Sequence, residues 1–513
     1  MKTQDLPHHH ACAEWSNRIL LLSLLGIAYL TLFPFKFDFA ASTVFHRYPF
    51  LLATSVKRPT YSDFFLNVLL FVPFGFGLSA RVRQRCSSRW TSLLAALAMG
   101  ASVSYVVELL QFYIPARDSG WEDVISNTAG SVAGFFLFEL CGGAVLRRLS
   151  KWEDLFEGWL SPRRAALLLV SYFAVCCGIS VRLQNETRLS NWDPQSILTV
   201  GNDASGQNPW RGQIFLLQIW NRALPEQAVR RVTRPESTDD ARAGLLGSYD
   251  FTGSPPYQDQ RNFLPALFWT PEQLQFTSAR ATALDARPWL RTKSPVENLT
   301  REIEKSSQFT VHIVCAPATI QDAKGRIVSL SQSADNVNFH LRQEGQFLVL
   351  WFRNPLSETR SVLAWRVQGV FEAGKMRDIV ASYDGSDAFI YLDGNRVPQT
   401  YRLSPGASLM RRFYFIETAS LEGYVVVYET LIFLPAGLLI GVEAEKWSRQ
   451  KPSGQWILAL GWAIPAVLLE ILLAGVSGRR IWVGNIALSL VFGLAGALLI
   501  NADRRFKNSS GAT

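Results

Sequence analysis

Residues that commonly catalyse reactions or bind metals are scarce in this sequence. It has six cysteines among 513 residues, and no cysteine pair has metal-ligand spacing. A zinc motif, a Walker phosphate-binding loop and a Ser-His-Asp arrangement are all lacking. Cys315 is the one cysteine in the polar middle of the chain, which excludes an internal disulfide there. His8, His9 and His10 could bind metal, but a functionally neutral terminal segment explains them more simply, so no metal site is predicted.

Apolar residues are concentrated at the two ends of the chain and polar residues in its middle. The whole sequence is 48% hydrophobic and 12% aromatic, with a mean hydropathy of +0.10. A transmembrane helix needs roughly 20 mostly apolar residues. Helices of this kind are predicted at about 19–35, 64–78, 90–113, 121–140, 165–181, 424–442, 456–476 and 481–500. The first lacks a small-residue cleavage site, so we expect a retained helix rather than a signal peptide.

The basic residues predict how these helices are oriented. The net charge is +9, and Lys and Arg cluster after the second, fourth, sixth and last predicted helices. The positive-inside rule then places both termini in the cytoplasm and residues 183–422 outside the membrane. Lys57, Arg58, Arg479 and Arg480 disagree, because this arrangement puts them outside as well. Since membrane orientation explains the basic residues, we expect membrane lipid as a partner and no nucleic acid.

The sequence therefore predicts a multi-domain membrane protein with two kinds of fold. An all-α transmembrane bundle of about eight helices is combined with an all-β sandwich outside the membrane. The expected segments are a cytoplasmic N-terminus at 1–16, a helical unit at 17–140, a linker with the fifth helix at 141–182, the outer domain at 183–422, a second helical unit at 423–501 and a cytoplasmic tail at 502–513.

The two helical units share residues at a fixed offset of 362 positions. The identical pairs are Phe71 and Phe433, Pro73 and Pro435, Gly75 and Gly437, Glu108 and Glu470, Leu110 and Leu472, Ala133 and Ala495, and Gly134 and Gly496. This register predicts an internal duplication. The second unit carries Glu429, Leu473, Arg480, Asn485 and Ser489 where the first carries Asn67, Gln111, Asp118, Asp123 and Asn127. We therefore expect the first unit to carry the chemistry and the second to close the bundle, with Glu470 as its remaining buried acid.

Polar residues are unusually dense in the stretch VELLQFYIPARDSGWEDVISNTAG, from Val107 to Gly130. Alternating helix directions bring this stretch and the start of the second helix to one depth near the outer surface. The polar residues expected there are Asp63, Asn67, Glu108, Gln111, Arg117, Asp118, Asp123 and Asn127. A charge in hydrocarbon costs at least about 2.5 kcal/mol, so such groups normally face a bundle interior or a cavity.

Several kinds of chemistry fit these residues. Arg117 and a helix N-terminus capped by Ser119 and Glu122 could hold an anion such as a phosphate or a carboxylate. Glu108 and Asp123 are candidate catalytic residues, because paired carboxylates can transfer protons, but they could equally bind a cation. A hydrogen-bonded network that only fixes the helices is the structural alternative. The sequence leaves open whether the protein is an enzyme.

At these residues the chain resembles the VanZ-like membrane family. The resemblance rests on LNVLLFVPFGFGL, on the stretch from Val107 to Gly130 and on the spacing between them. It covers about residues 15–140, with a faded second copy near 424–500. The family's namesake is linked to low-level teicoplanin resistance, which implies a role in the bacterial envelope, at the cytoplasmic membrane, without naming a reaction.

The middle region, from about 183 to 415, has short alternating segments separated by turn residues, as an all-β sandwich does. A hairpin through Gly385 and a turn at Asp393 and Gly394 are predicted. The concanavalin A-like, laminin-G-type jelly roll is resembled by VGNDASGQNPWRGQIFLLQIWNRAL, GLLGSYDF and residues 309–397. Their order suggests a circular permutation or an insertion at an unusual point. The resemblance implies glycan binding, sometimes with calcium.

The candidate glycan contacts of this domain are Asn202, Asp203, Trp210, Asp384 and Asp393. Turn formation by aspartate beside glycine and core packing of the tryptophan are the alternatives. No acidic pair of glycosidase type stands out, so a hydrolase is not predicted.

Together these features predict an envelope membrane protein with two recognition sites. The outer domain would recognise envelope glycan or glycoconjugate, and the polar residues near the outer surface would bind or modify a lipid-linked or glycopeptide-type partner. A transporter of an amphiphilic envelope compound and a non-catalytic membrane scaffold are the alternatives. No cofactor is identified beyond the calcium that the jelly-roll resemblance allows.

Overall fold

A computed structural model describes residues 6–33, 37, 61–86, 88–114, 120–233, 242–270, 282–284, 289–357, 363–412, 421–448 and 454–510. The chain divides into two compact units, Met1–Arg164 and Ala165–Thr513. Each unit is described by itself below.

The N-terminal unit is a bundle of four helices. They are α1 (Leu6–Leu32), α2 (Tyr61–Arg85), α3 (Arg89–Gln111) and α4 (Trp121–Trp159). Helix α2 packs against the other three. Its Phe71 and Phe74 are buried with Ile27 of α1 and Val107 of α3. The apolar residues predicted to cross the membrane thus also supply the core of this unit.

Helices α2 and α4 lie in direct backbone contact, which glycine allows. A Cβ atom built at Gly75 would lie 1.9 Å from the carbonyl oxygen of Ser131, and one built at Gly134 would lie 2.2 Å from that of Val72. Small residues bring membrane helices together in this way, because lipid offers no hydrophobic force to drive their association. The short distance between the two backbones brings their polar side chains within reach of one another.

Two helices of this unit are longer than predicted. Helix α1 begins at Leu6 instead of near residue 19, and α4 continues past residue 140 to Trp159. Hydropathy reports only the apolar part of a helix, whereas helix formers such as Leu, Arg, Lys and Glu extend α4 through the expected linker. At 39 residues, α4 is about 58 Å long, longer than a hydrocarbon core of about 30 Å.

The C-terminal unit contains four long helices and three short ones. The long helices are α5 (Pro162–Asn185), α9 (Leu421–Ser448), α10 (Gly454–Ser477) and α11 (Val483–Ser510), and the short ones are α6 (Glu226–Val232), α7 (Glu297–Ser306) and α8 (Pro405–Arg412). Helices α9 and α11 touch as α2 and α4 do. A Cβ atom built at Gly437 would lie 2.0 Å from the carbonyl oxygen of Gly493.

Six of the described helices, α1 to α5 and α9, are long and apolar enough to cross a membrane. The described apolar parts of α10 and α11 are shorter, at Ala463–Ser477 and Val483–Leu499. Each predicted transmembrane segment therefore corresponds to an apolar helix, and the chain is a multi-pass membrane protein.

The middle of the C-terminal unit is a β domain. Its strands are β1 (Ile197–Val200), β2 (Gly212–Trp220), β3 (Leu245–Asp250), β4 (Leu267–Thr270), β5 (Thr282–Leu284), β6 (Trp289–Thr292), β7 (Phe309–Pro317), β8 (Lys324–Ser331), β9 (Val337–Glu344), β10 (Phe347–Phe352), β11 (Trp365–Val367), β12 (Arg377–Tyr383), β13 (Asp387–Leu392), β14 (Asn395–Arg396) and β15 (Tyr401–Arg402).

The strands form two antiparallel sheets. The seven-stranded sheet has the order β11-β10-β9-β8-β1-β6-β4, and the eight-stranded sheet has the order β14-β13-β12-β7-β2-β3, with β15 beside β13 and β5 beside β2. Apolar side chains of both sheets, such as Leu330 and Phe339 from the first and Val311 from the second, line one interior space. The predicted sandwich-like β architecture is thus confirmed.

Both predicted turns of this domain are present. Strands β12 and β13 pair as a hairpin in which Tyr383 faces Ala388, and Gly385 between them has a φ of +97°. Asp393 and Gly394, with φ of +51° and +79°, join β13 to β14. Two consecutive positive φ values are the backbone that an Asp-Gly pair favours.

The β domain contacts the ends of the helices of its own unit. The Thr187 hydroxyl, just after α5, donates to the Gly385 carbonyl at 2.9 Å. The Gln308 amide donates to the carbonyl of Gly478, just after α10, at 3.1 Å. The Arg402 guanidinium lies 3.7 Å from the ring centroid of Trp482. The end of α5 and the end of α10 therefore both lie at the β domain, as alternating helix directions require.

The close contact of α2 and α4 can be tested with Gly134→Ala. The new Cβ atom would lie 2.2 Å from the Val72 carbonyl oxygen, so the helices must separate, and overpacking of this kind costs about 1–3 kcal/mol. Gly26→Ala is the matched control, because nothing lies within 4 Å of a Cβ atom built there. Thermal unfolding in mixed micelles should show a lower midpoint for Gly134→Ala alone. Equal midpoints for the two variants would contradict the close contact.

Candidate functional site

Polar side chains of three helices meet at one end of the N-terminal bundle. The Asn67 amide of α2 donates to Asp123 Oδ1 of α4 at 2.6 Å. The Asn127 amide, one turn further along α4, donates to Ser104 Oγ of α3 at 2.9 Å. Ser104 and Asn127 are buried. The two hydrogen bonds link α4 to its neighbours on both sides.

Glu108 connects the end of α3 to the start of α4. One of its carboxylate oxygens accepts the backbone N–H of Gly120 at 3.1 Å, and the side chain is buried. Gly120 is the N-cap of α4. A carboxylate at this position satisfies a donor that the helix leaves free and interacts favourably with the helix dipole. Gln111, one turn beyond Glu108, donates to the Thr31 carbonyl of α1 at 2.8 Å.

The N-cap of α4 is Gly120 and not the predicted Ser119. The helix begins at Trp121, and its N-cap Gly120 receives no side-chain hydrogen bond of its own segment. Ser119, the predicted cap, lies outside the described residues. Glu108 of the preceding helix supplies the acceptor instead, which local sequence pattern cannot reveal because the two residues come from different helices.

Some buried polar atoms at this end of the bundle have no hydrogen-bond partner. Among the described residues they include Oδ1 of Asn127 and Oε2 of Glu122. Exchanging the amide oxygen and nitrogen of Asn127 would leave the nitrogen without a partner instead. One polar atom of this side chain therefore lacks a hydrogen-bond partner in either assignment. A buried polar group without a partner costs about 1–3 kcal/mol. Asn127 therefore offers an unused hydrogen-bonding position to a ligand.

The structure brings together most of the residues that the sequence predicted for this site. We call the set formed by Asn67, Ser104, Glu108, Gln111, Asp123 and Asn127 the polar strip. Asp63 lies exposed at the start of α2. Arg117 and Asp118 lie outside the described residues. Ser104 is the polar partner within the strip that was not among the predicted site residues.

Comparison with known proteins recognises this same part of the chain. Residues 20–142 match the VanZ/LLP1 family. They form a VanZ/LLP1 family region. Protein VanZ of Enterococcus faecium is 25% identical over 125 residues, which are 24% of this chain and 74% of that protein. No solved structure matches the chain, so the jelly-roll resemblance of the β domain stays a prediction.

Outside the VanZ/LLP1 region, the C-terminal helices contain a second buried polar cluster. Both carboxylate oxygens of Glu470 accept from the Arg479 guanidinium, at 2.5 and 3.0 Å. Glu470 also accepts the backbone N–H of Trp482 at 2.6 Å and the amide of Asn485 at 3.1 Å. Four donors thus surround one carboxylate that is 3% exposed.

This cluster has contacts that the VanZ/LLP1 region also has, 362 positions earlier. Glu470 accepts the N–H of Trp482 as Glu108 accepts that of Gly120. In both units an acid near the end of one helix thus binds backbone at the start of the next. Gly437 approaches Gly493 as Gly75 approaches Ser131, in the same register.

Sequence reasoning missed Arg479 and undervalued Glu429. Arg479 was predicted to be an outer loop charge, but its side chain is 1% exposed. The available signal was its position 362 residues after another arginine, Arg117. Glu429 is buried and accepts from the Ser489 hydroxyl at 2.8 Å. Glu470 is buried as predicted, but it is joined by a second buried acid, Glu429. Glu429 and Ser489 stand where the first unit has Asn67 and Asn127.

The predicted glycan contacts near β1 are buried in the β domain. Trp210 is 2% exposed, and its indole N–H donates to Gln343 at 2.6 Å. Asn202 and Asp203 are buried. Asp203 Oδ1 accepts the N–H and the hydroxyl of Ser205 at 2.9 and 2.6 Å. Burial raises the pKa of Asp203, but hydrogen bonds and the charge of Arg326 outweigh it and lower the pKa overall.

The other two predicted contacts stabilise the turns of β13. Asp384 Oδ1 accepts the N–H groups of Ser386 and Asp387 at 3.1 and 2.7 Å. Asp393 accepts the N–H of Asp378 at 3.0 Å and pairs with Arg377 at 2.6 Å. Their contact with glycan stays a prediction, as does calcium. The part of the chain that the structure describes contains no group of three or more His, Cys, Asp or Glu residues that could hold a metal ion.

The Glu470–Arg479 pair can be tested by breaking and then neutralising it. Arg479→Gln leaves a buried carboxylate without its counter-charge, which should destabilise the C-terminal unit by about 3–5 kcal/mol. The double variant Glu470→Gln with Arg479→Gln removes both charges and should recover at least half of that loss. Chemical unfolding in mixed micelles measures both. A double variant no more stable than Arg479→Gln would contradict a charge-paired cluster.

Proposed function

We propose that the VanZ/LLP1 region binds the polar headgroup of an amphiphilic compound of the bacterial envelope. The polar strip supplies the site, and the unused hydrogen-bonding position of Asn127 is the observation that carries the proposal. Polar groups inside a membrane bundle are costly unless they pair or serve a ligand. A headgroup rich in hydroxyl, amide or phosphate groups would satisfy Asn127 while its apolar part stays in lipid.

Glu108 and Asp123 are the residues of the strip that could also modify such a ligand. The Glu108 carboxylate accepts from the Gly120 N–H, and the Asp123 carboxylate accepts from the Asn67 amide. We propose binding as the primary role and leave these two as the candidate acid and base of any reaction.

The proposed orientation puts the strip at the outer leaflet and the β domain outside the cytoplasm. The Lys and Arg clusters after the second, fourth, sixth and last transmembrane helices support it. Arg479 no longer counts against it, since its charge is buried against Glu470. Arg480 still disagrees, and Lys57 and Arg58 lie outside the described residues.

The C-terminal helices are proposed to be a second copy of the VanZ/LLP1 bundle. The glycine contacts and the buried glutamate that accepts backbone N–H, all repeated 362 positions later, support this proposal. In the second copy, Arg479 donates two hydrogen bonds to the Glu470 carboxylate. A carboxylate already neutralised in this way has little to offer a ligand, which favours the first copy as the binding unit.

The β domain is proposed to recognise envelope glycan, bringing the protein to its amphiphilic partner. Its sandwich architecture and the resemblance of three sequence segments to glycan-binding jelly rolls support this part of the proposal. A transporter of the same amphiphile is the second candidate, favoured by buried acids in both helical units. Transport predicts flux of the compound across proteoliposomes, whereas binding alone does not.

The proposal is tested in cells that lack the protein and are complemented with variants. Asn127→Ala should lose at least tenfold in affinity for the headgroup, equivalent to about 1.4 kcal/mol, and Glu108→Gln and Asp123→Asn should weaken function as well. The measurements are glycopeptide sensitivity, with teicoplanin as the probe, and the amount of each variant in the membrane.

The matched controls lie on α3. Ser104→Ala removes the hydroxyl that bonds Asn127, and Ser102→Ala removes an exposed hydroxyl that bonds only its own helix at Ala98. We expect Ser104→Ala to impair function and Ser102→Ala to leave it unchanged. Full function of every strip variant at normal abundance would reduce the strip to helix packing. A loss of function that is proportional to a lower amount of the variant in the membrane would favour a non-catalytic scaffold.

A further inference from the structure

The outer face of the seven-stranded sheet carries an unusual group of side chains. Along β9, Phe339 points into the space between the sheets. Because successive side chains of a strand point to opposite faces, His340 and Arg342 alternate with inward residues and lie on the outer face. In the ladder, Arg326 of β8 lies directly opposite Arg342, and Trp351 of β10 lies directly opposite His340.

These four residues form one continuous patch, which we call the outer-face patch. The rings of His340 and Trp351 are stacked, with centroids 5.7 Å apart and planes at 18°. Arg326 and His340 are each 8% exposed. Trp351 is half-buried, and the side chain of Arg342 is 25% exposed. The deeper pair thus lies beside a shallower pair that is partly open to solvent.

The patch contains more hydrogen-bond donors than its surroundings satisfy. Among the described residues, the buried donor nitrogens without a hydrogen-bond partner include Nε of Arg326, Nε of Arg342 and Nε1 of Trp351. Guanidinium and indole groups can only donate. Leaving such groups unpaired is costly, more so for charged ones, so the patch requires acceptor oxygens.

Positive charge is also concentrated there. Arginines directly opposite each other in a ladder repel. Arg326 is offset by Asp203, whose Oδ2 lies 3.2 Å from Nη1. Glu344 pairs with Arg342 and is shared with Arg366 at 2.9 Å. Each acid reaches only one edge of its arginine, and neither satisfies the Nε atoms that remain without partners.

The electrostatics of the patch favour an anion over a cation. Burial lowers the pKa of Arg326, and the charge of Arg342 lowers it further, although Asp203 and Asp335 oppose this. Burial and the two arginines also lower the pKa of His340 well below its usual value, so the imidazole is neutral at neutral pH. The patch therefore presents two guanidinium groups beside a neutral, stacked aromatic pair.

We propose that the outer-face patch binds an anionic group, a carboxylate or a phosphate, carried by a glycan. Arg326 and Arg342 would hold the anion, since a guanidinium matches the oxygens of either group with two parallel hydrogen bonds. Trp351 would donate its indole N–H to a neighbouring ring oxygen or hydroxyl. This inference rests on the proposal that the β domain recognises glycan, and it names an acidic glycan as the ligand class.

The patch has hydrogen-bond donors available for a ligand, unlike the glycan contacts that the sequence suggested. Trp210 and Asp203 already bond to Gln343 and Ser205 of the domain itself, so they have little left to offer. Register across the successive strands β8, β9 and β10 assembles the patch. No local motif marks it.

The test uses the full-length protein in nanodiscs of zwitterionic lipid. Binding is measured by titration calorimetry with three probes of similar length: oligogalacturonate for the carboxylate, oligo(glycerol phosphate) for the phosphate and a malto-oligosaccharide as the neutral glycan. We expect one or both acidic probes to bind at least tenfold more tightly than the neutral one. The acidic probe that binds identifies which anion the patch takes.

Three variants locate the binding. Arg342→Gln should weaken it at least tenfold, and Trp351→Phe, which keeps an aromatic ring and removes the N–H, should weaken it severalfold. Arg301→Gln is the control, because it removes the same charge from an exposed pair with Glu297 on α7. Unchanged circular dichroism shows that the domain is folded, and Trp351→Phe keeps the test valid if Arg342→Gln fails to fold.

Three results would overturn the inference. Equal binding of neutral and acidic probes would show glycan recognition without an anion site, leaving the proposed function intact. Acidic binding that Arg301→Gln weakens as much as Trp351→Phe and Arg342→Gln do would show attraction by overall charge. If none of the three probes binds, the proposal that the β domain recognises glycan is also contradicted. Headgroup binding at the polar strip is tested separately, by the Asn127 and Ser104 variants.

Discussion

A carboxylate inside a bundle of apolar helices must be supplied with hydrogen-bond donors, and both helical units are organised around this requirement. Glu108 takes the first free N–H of the following helix, at Gly120. Glu470 takes the N–H of Trp482 and adds an arginine. In each case the acid fixes where one helix ends and the next begins. The remaining polar residues of the strip lie at the same end of the bundle, where they pair across helices.

That arrangement is possible because the helices touch backbone to backbone. Gly75 and Gly134 let α2 and α4 approach so closely that short side chains such as Asn67 and Asp123 can hydrogen-bond. Larger residues would hold the helices apart and leave the same groups unpaired in lipid. The two units differ in how the acid is neutralised. Arg479 fills the second cluster, whereas Asn127 keeps an unused position in the first.

Much of this organisation could be predicted from sequence, because hydropathy and periodicity are local properties. Each transmembrane segment and the sandwich followed from them, and helical spacing placed Glu108, Asp123 and Asn127 at one depth. What could not be predicted depends on contacts between different helices or strands. The burial of Arg479, the capping of α4 by Glu108 and the meeting of Arg326 with Arg342 require knowledge of helix packing or strand register.

The central claim is that the polar strip binds a headgroup and is more than a packing network. Native mass spectrometry of the full-length protein, extracted from its own membrane into nanodiscs, tests this without assuming the ligand. Wild type and Ser102→Ala should carry the same co-purified amphiphile, and Asn127→Ala and Ser104→Ala should carry little or none while remaining folded. An identical set of bound molecules in all four proteins would contradict the claim.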